Sequence, residues 1–173
     1  MTAAKPSDGA DRQALGRALR HAVDEVEKFV DEGGWDAPRQ LFALVPTSEL
    51  LAHEPGLIGQ IGPDPEPDGP AEPGATMPQY TPVEQGEIPG DTIADALAKI
   101  AWPDEIDGCV LALEIMVQDG DHLAEGRLAV GVMRHLEGGA CALRWRHAPD
   151  GPVTYSPDLA PELVAALHAT FEA

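Results

Sequence analysis

Positive charge is what this chain has least of. Its 173 residues hold 11 Lys and Arg against 30 Asp and Glu, a formal net charge of −19 with His neutral. Residues 54–107 carry twelve acids against Lys99 alone. A field of that sign repels phosphate backbones and anionic headgroups, so neither a nucleic acid nor a membrane surface is expected as a partner. No apolar run approaches the roughly 20 residues needed to cross a bilayer. The start, MTAAKPSDGADRQ, has no apolar stretch of the kind a secretory signal needs. These absences lead to an expected cytoplasmic location.

Cysteine is scarce as well. Cys109 and Cys141 give no CxxC and no zinc-ligand spacing. Each falls on the apolar phase of an expected strand, with a third strand between them. Two strand spacings place them about 10 Å apart, too far for a disulfide. Buried, reduced thiols are expected.

Motifs that announce chemistry are missing too. The six histidines form no HxH, HExxH or Hx₃H pair, and there is no GxSxG elbow, SxxK, GxGxxG or GxxxxGK[ST]. No cofactor, metal or catalytic residue is therefore assigned. Two acidic stretches invite a metal reading and fail it. Asp104-Glu105-Ile106-Asp107 fits no calcium loop and reads as a polar turn ahead of a strand. Asp119-Gly120-Asp121-His122, with Glu125, departs from the calcium-loop pattern at its third ligand and reads as part of a polar hairpin loop over 118–126.

What is present describes one domain. Residues 1–10 read as a disordered tail and 11–173 as a single α+β unit. From Asp11, apolar Leu15, Leu19, Val23, Val26 and Val30 recur at helical spacing up to the Gly33-Gly34 stop. Leu41–Val45 reads as a short buried strand ended by Pro46, followed by a helical turn capped at Thr47 or Ser48, and 57–61 as a further short strand. Residues 62–90 hold eight prolines and form an acidic Pro/Gly-rich loop, within which 77–85 can pair only as an edge strand. Asp91 caps a helix closed by Pro103. Three strands follow, Cys109–Val117, Arg127–Arg134 and Cys141–His147. A last helix is capped by Ser156, with Pro157 at its first position and Leu159, Leu163, Leu167 and Phe171 inward.

That order suits an antiparallel sheet with a C-terminal three-strand meander and helices packed on one face. By element order alone it is similar to secretion chaperones, an analogy that carries no activity.

The outer phase of the meander is unusual. It reads Val110, Ala112, Glu114, Met116, then Arg127, Ala129, Gly131, Met133, then Ala142, Arg144, Arg146. A solvated face would alternate to strongly polar residues. Small residues ringed by Met and Arg fit a contact surface better. Four of the eight arginines, Arg127, Arg134, Arg144 and Arg146, fall in these two strands. The face is expected to be covered by a second copy, a protein partner, or the acidic loop of the same chain. The expected function is a non-catalytic protein-binding or adaptor module, in one form a homodimer, with Glu114, Met116, Arg127, Met133, Arg144 and Arg146 as contacts. The alternative is an enzyme or small-ligand binder with a site between residues 44–54 and 102–107, built from Thr47, Ser48, His53, Glu54, Asp104 and Glu105.

The segments WDAPRQLFALVPTSELL, IAWPDEIDGCVLALE, CALRWR and PDLAPELVAALHATFE, in this order and spacing, resemble a family of small actinobacterial proteins of unknown function. The resemblance spans nearly the whole chain outside the N-terminal tail and the 62–76 insert. It implies a cytoplasmic single-domain protein and carries no catalytic residues.

Overall fold

A computed structural model of the chain describes residues 8–49, 79–88 and 92–172. Helix α1 (Asp8–Glu32) leads into strands β1 (Gln40–Pro46) and β2 (Tyr80–Glu87). Helix α2 (Ile93–Ala98) precedes β3 (Gly108–Asp119), β4 (His122–Met133), β5 (Ala140–Trp145) and β6 (Thr154–Ser156), and α3 (Pro161–Ala169) ends the fold. The strands form one open antiparallel sheet in the order β2-β1-β3-β4-β5-β6. The α+β class and the antiparallel meander are as the sequence suggests.

The layering is not. Helices lie on both faces of the sheet rather than one. On the inner face, Leu111, Leu113, Leu128, Val130, Val132, Cys141 and Leu143 share a core with Ala96 and Leu97 of α2 and Val164 and Leu167 of α3. On the outer face, Val110, Ala112, Ala129, Met133, Ala140 and Ala142 share a second core with Leu19, Ala22, Val23, Val26 and Val30 of α1. The stripe along α1 and the alternation in the strands are therefore both as read; what covers the plain face is the chain's own first helix.

Small residues make that seat possible. A Cβ added at Gly131 would lie 2.5 Å from Val23 Cγ2 and 2.9 Å from Leu19 Cδ1, so α1 sits directly on the β4 backbone there. The helix ends in a left-handed cap at Gly34, φ 84°.

β1 explains its continuous apolar run by facing both cores, with Leu41 inward and Phe42 and Leu44 towards α1. β2 lies at the edge, where Pro82 sits opposite Leu44.

Other boundaries shift for local reasons. The polar stretch 118–126 is not a loop: β3 and β4 stay paired to Asp119↔His122 and turn through Gly120-Asp121, with Gly120 at φ 66° as a two-residue turn of type II′ requires. Ser156 does not cap the last helix. Its Oγ accepts the Asp158 N–H at 3.2 Å to close a turn, and Pro161 takes the first helical position. Thr92 caps α2, its hydroxyl accepting the Asp95 N–H at 3.1 Å. α1 begins at Asp8, inside the expected tail. The strand expected at 57–61, the cap at Asp91 and most of the acidic loop lie outside the described residues.

Cys109 on β3 and Cys141 on β5 are free and buried, with β4 between them. Burial pushes the Cys109 thiol up to about 12, so it acts as a small core hydrophobe rather than a nucleophile. No described helix is long and apolar enough to cross a membrane.

Gly131→Val forces α1 away from β4. It is expected to lower stability by about 1–3 kcal/mol in urea unfolding, as overpacked cores do; an unchanged midpoint contradicts this seating.

Candidate interaction surface

Three of the four meander arginines hold the end of α1 and the loop behind it. In the sheet register Glu114, Arg127 and Arg144 form one row across β3, β4 and β5. Arg127 is 1% exposed. Its Nη1 donates to Asp31 Oδ1 at 2.8 Å, its Nη2 to the Gly34 carbonyl at 2.7 Å, and its guanidinium lies 4.3 Å from the Trp35 ring centre. The cation thus sits at the negative end of the helix dipole, on the carbonyl of the left-handed residue just past the last turn.

Arg144 grips the fully buried Glu27 with two bonds, one of them Nη2 to Oε2 at 3.0 Å. Arg146 grips Asp36 in the same way, at 2.6 and 2.8 Å. Glu114 closes the clamp by accepting the N–H groups of Asp36 at 3.0 Å and Ala37 at 2.8 Å. Hydrogen bonding to Glu27 raises the Arg144 pKa, and the bond from Arg146 holds the Asp36 carboxyl below its ordinary value.

Arg127 and Met133 are accordingly buried beneath α1 rather than offered on an open face, and Arg144 is mostly covered. Sequence flagged these side chains as anomalous on a strand but looked for their cover in a second copy, a partner or the acidic loop rather than in α1. Arg134 does something else: it donates to the Pro103 and Ile106 carbonyls at 2.9 and 3.0 Å and packs 4.8 Å from the Phe171 ring centre. It pins the 102–107 turn, leaving Asp104 and Glu105 exposed to solvent.

Asp36, Glu114 and Glu125 bring carboxylate oxygens within 4.8 Å of one another. The cation among them is Arg146, whose Nη1 lies 2.6 Å from Asp36, 3.1 Å from Glu125 and 3.8 Å from Glu114. One guanidinium among three carboxylates leaves this corner acidic.

Beside it the sheet narrows. β1 pairs with β3 only as far as Ala112, and β5 with β4 only to Gly126, with one further bond from the Arg146 N–H to the Glu125 carbonyl at 3.0 Å. Beyond those points, among the described strands, β3 and β4 run on as a two-stranded ribbon. Met116 and Leu123, 59% and 63% exposed, lie on its α1-side face, where Met116 opposes Glu125 and Gln118 opposes Leu123. Ile115 and Val117, on the opposite face, pack against the inner core. Met116 is thus the expected contact that stays open. Leu123 escaped notice because 118–126 read as a loop, although Leu123, Glu125 and Arg127 continue the outer phase of β4.

The alternative site is partly assembled. The Asp107 N–H donates to the Leu44 carbonyl at 3.1 Å, so the two segments adjoin. Thr47 is buried, its hydroxyl 2.8 Å from that of Thr81, while Ser48 is exposed. Burial raises the neighbouring Tyr80 phenol, and the charges of Asp107 and Glu49 raise it further. His53 and Glu54 lie outside the described residues.

Two measurements test the clamp. Glu27→Ala removes two bonds from Arg144, which keeps Asp31 at 3.5 Å and the Pro149 carbonyl, and is expected to cost about 1.5–3 kcal/mol of stability; a loss near zero contradicts a buried pair. Asp36, with its folded pKa lowered, contributes stability above its unfolded value that is lost as pH falls through the folded one. The Trp35 indole NMR signal should therefore shift only below the ordinary aspartate value of about 3.9, and Arg146→Gln should move that midpoint upward; an unmoved midpoint contradicts the bond.

Neither a curated protein nor a solved structure matches the chain. The family model of the PPA1309-like proteins matches residues 19–125, more than half of the chain and a span running from the middle of α1 to the end of the ribbon, and the chain belongs to that family.

Proposed function

We propose that the protein is a non-catalytic protein-binding or adaptor module whose contact surface is the projecting β3–β4 ribbon. One observation carries the reading: the strands outrun their described neighbours and present Met116 and Leu123, diagonal on one face, to solvent. Large apolar side chains on a protruding, otherwise polar arm suit a partner contact. The reading moves the contact surface from the middle of the outer face, which α1 covers, to the end of the same face. Of the residues first assigned to it, Met116 is central, and Glu114 and Arg146 flank it.

A cytoplasmic location belongs to the same proposal. Two free thiols buried on strands that cannot be bridged suit a reducing compartment. So does an actinobacterial origin, supported by the four segments quoted above.

The second reading, a ligand site at 44–54 and 102–107, draws support from the bond between Asp107 and Leu44. It would use the Tyr80 phenol beside Asp107 and Glu49 rather than Asp104 or Glu105, which point to solvent.

The test is affinity purification from the native cell with wild-type protein and a Met116→Asp/Leu123→Asp double variant. Loss of a stoichiometric protein from the variant alone, with thermal stability unchanged, is expected. Retention of the same partners by the variant contradicts the ribbon as contact surface.

A further inference from the structure

We infer that the open edge of β3 from Leu113 to Gln118 is a strand-addition site for an extended protein segment alternating basic and apolar residues. This deepens the protein-binding reading and rests on it.

The backbone direction follows from the register. The Arg146 N–H reaches the Glu125 carbonyl, so Glu125 turns its backbone groups towards β5. Strand alternation then turns Ala124 and Gly126 towards β3, where they meet Val117 and Ile115. Ile115 and Val117 are therefore bonded within the ribbon. Glu114, Met116 and Gln118 direct their N–H and C=O groups the other way, to the side that β1 occupies only up to Ala112. No described strand pairs with β3 beyond that point.

Among the described residues this edge is also unguarded, unlike the outer edges of β2 and β6. Sheet edges are normally protected by proline, bulges, charge or brevity. β2 carries Pro82, pairs with β1 through a register shift at Leu41/Phe42, and holds Gly86 at φ 92°. β6 is three residues long. The β3 edge reads LEIMVQ, with the strand formers Ile115 and Val117, no proline, and Glu114 its one charge.

Charge names the occupant. The adjoining corner holds Asp36, Glu114 and Glu125 against Arg146, and Asp121 lies exposed at the ribbon tip. A segment added beside β3 would place alternate side chains next to Ile115 and Val117 on the inner face. The others would fall next to Glu114, Met116 and Gln118. Apolar residues suit the first set, and Lys or Arg suits the second. A second copy would bring the same acids to the same corner, from a chain of net charge −19.

The probe is a short fluorescent peptide alternating lysine and valine, with glutamate–valine and lysine–serine peptides of equal length as comparisons. The lysine–valine peptide is expected to bind saturably and the other two to bind weakly. Met116→Pro removes an outward N–H without touching the β3–β4 ladder, and should weaken binding about tenfold, the loss of roughly one hydrogen bond. A second readout does not depend on that variant folding. Amide exchange at Met116 and Gln118 should slow when the peptide is added, while Ile115 and Val117, already bonded, should not change. Three results overturn the inference: equal affinity for the lysine–serine peptide, unchanged exchange at Met116 and Gln118, or a wild-type dimer that Met116→Pro converts to monomer. If they occur while the Met116→Asp/Leu123→Asp variant still loses its native partner, strand addition alone is wrong and the protein-binding reading stands.

Discussion

Everything else in this fold depends on α1 lying directly on the β4 backbone. Gly131 faces Val23 and Leu19 at a separation that leaves no room for a methyl group, and Ala112, Ala129 and Ala142 keep the surrounding floor low. Burying Leu19, Val23, Val26 and Val30 against that floor supplies apolar stabilisation of about 1.5–3 kcal/mol per Val or Leu side chain. A larger residue in the floor would push against Leu19 and Val23 and cost part of those contacts. The arginines then act at the far end of the seat, where small residues give way to Glu114, Arg127 and Arg144 and where Arg127 reaches the Gly34 carbonyl just past the helix.

The position of the ribbon follows from that seat. Because α1 ends over the Arg127 row, the chain must turn back, and it does so through Trp35 and Asp36 with their backbone and side chains held by Arg127, Arg146 and Glu114. β1 enters the sheet only at Gln40, opposite Ala112, so the rest of β3 has no neighbour from that side among the described strands. The exposed edge is thus left over from the length of the return loop. The acidic corner beside it arises because Asp36, Glu114 and Glu125 converge on a single guanidinium. The turn at 102–107 has an equally local explanation: Arg134 and Phe171 fix its carbonyls and Trp102, and Asp104 and Glu105 remain in water.

Periodicity made much of this legible. The stripe Leu15 to Val30, the alternation in β3, β4 and β5, and the edge position of the Pro-containing strand all follow from spacing and proline chemistry. The oddity of the outer face was visible as well, in Ala129, Gly131 and Ala142 and in the arginines around them. What spacing does not encode is which face of a sheet a helix takes. Asp31 and Arg127 are 96 residues apart in sequence, and Glu27 and Arg144 are 117 apart, so their pairing has no local signal. Leu123 was hidden for a different reason. Polar residues at the end of a long hairpin look like a loop unless the two-residue turn at Gly120 is recognised. Thr154–Ser156 is too short to show any period, and Ser156-Pro157 imitates a helix start while closing a turn.

Amide hydrogen exchange along α1 tests the seat most directly. With Leu19 and Val23 locked over Gly131 and the helix end clamped by arginine, the amides from Ala22 to Val30 should be released only with those of β3 and β4, in one cooperative opening. Exchange of that stretch orders of magnitude faster than the central strands would mean that α1 is a loosely held lid, and that the outer face of the sheet lies open after all.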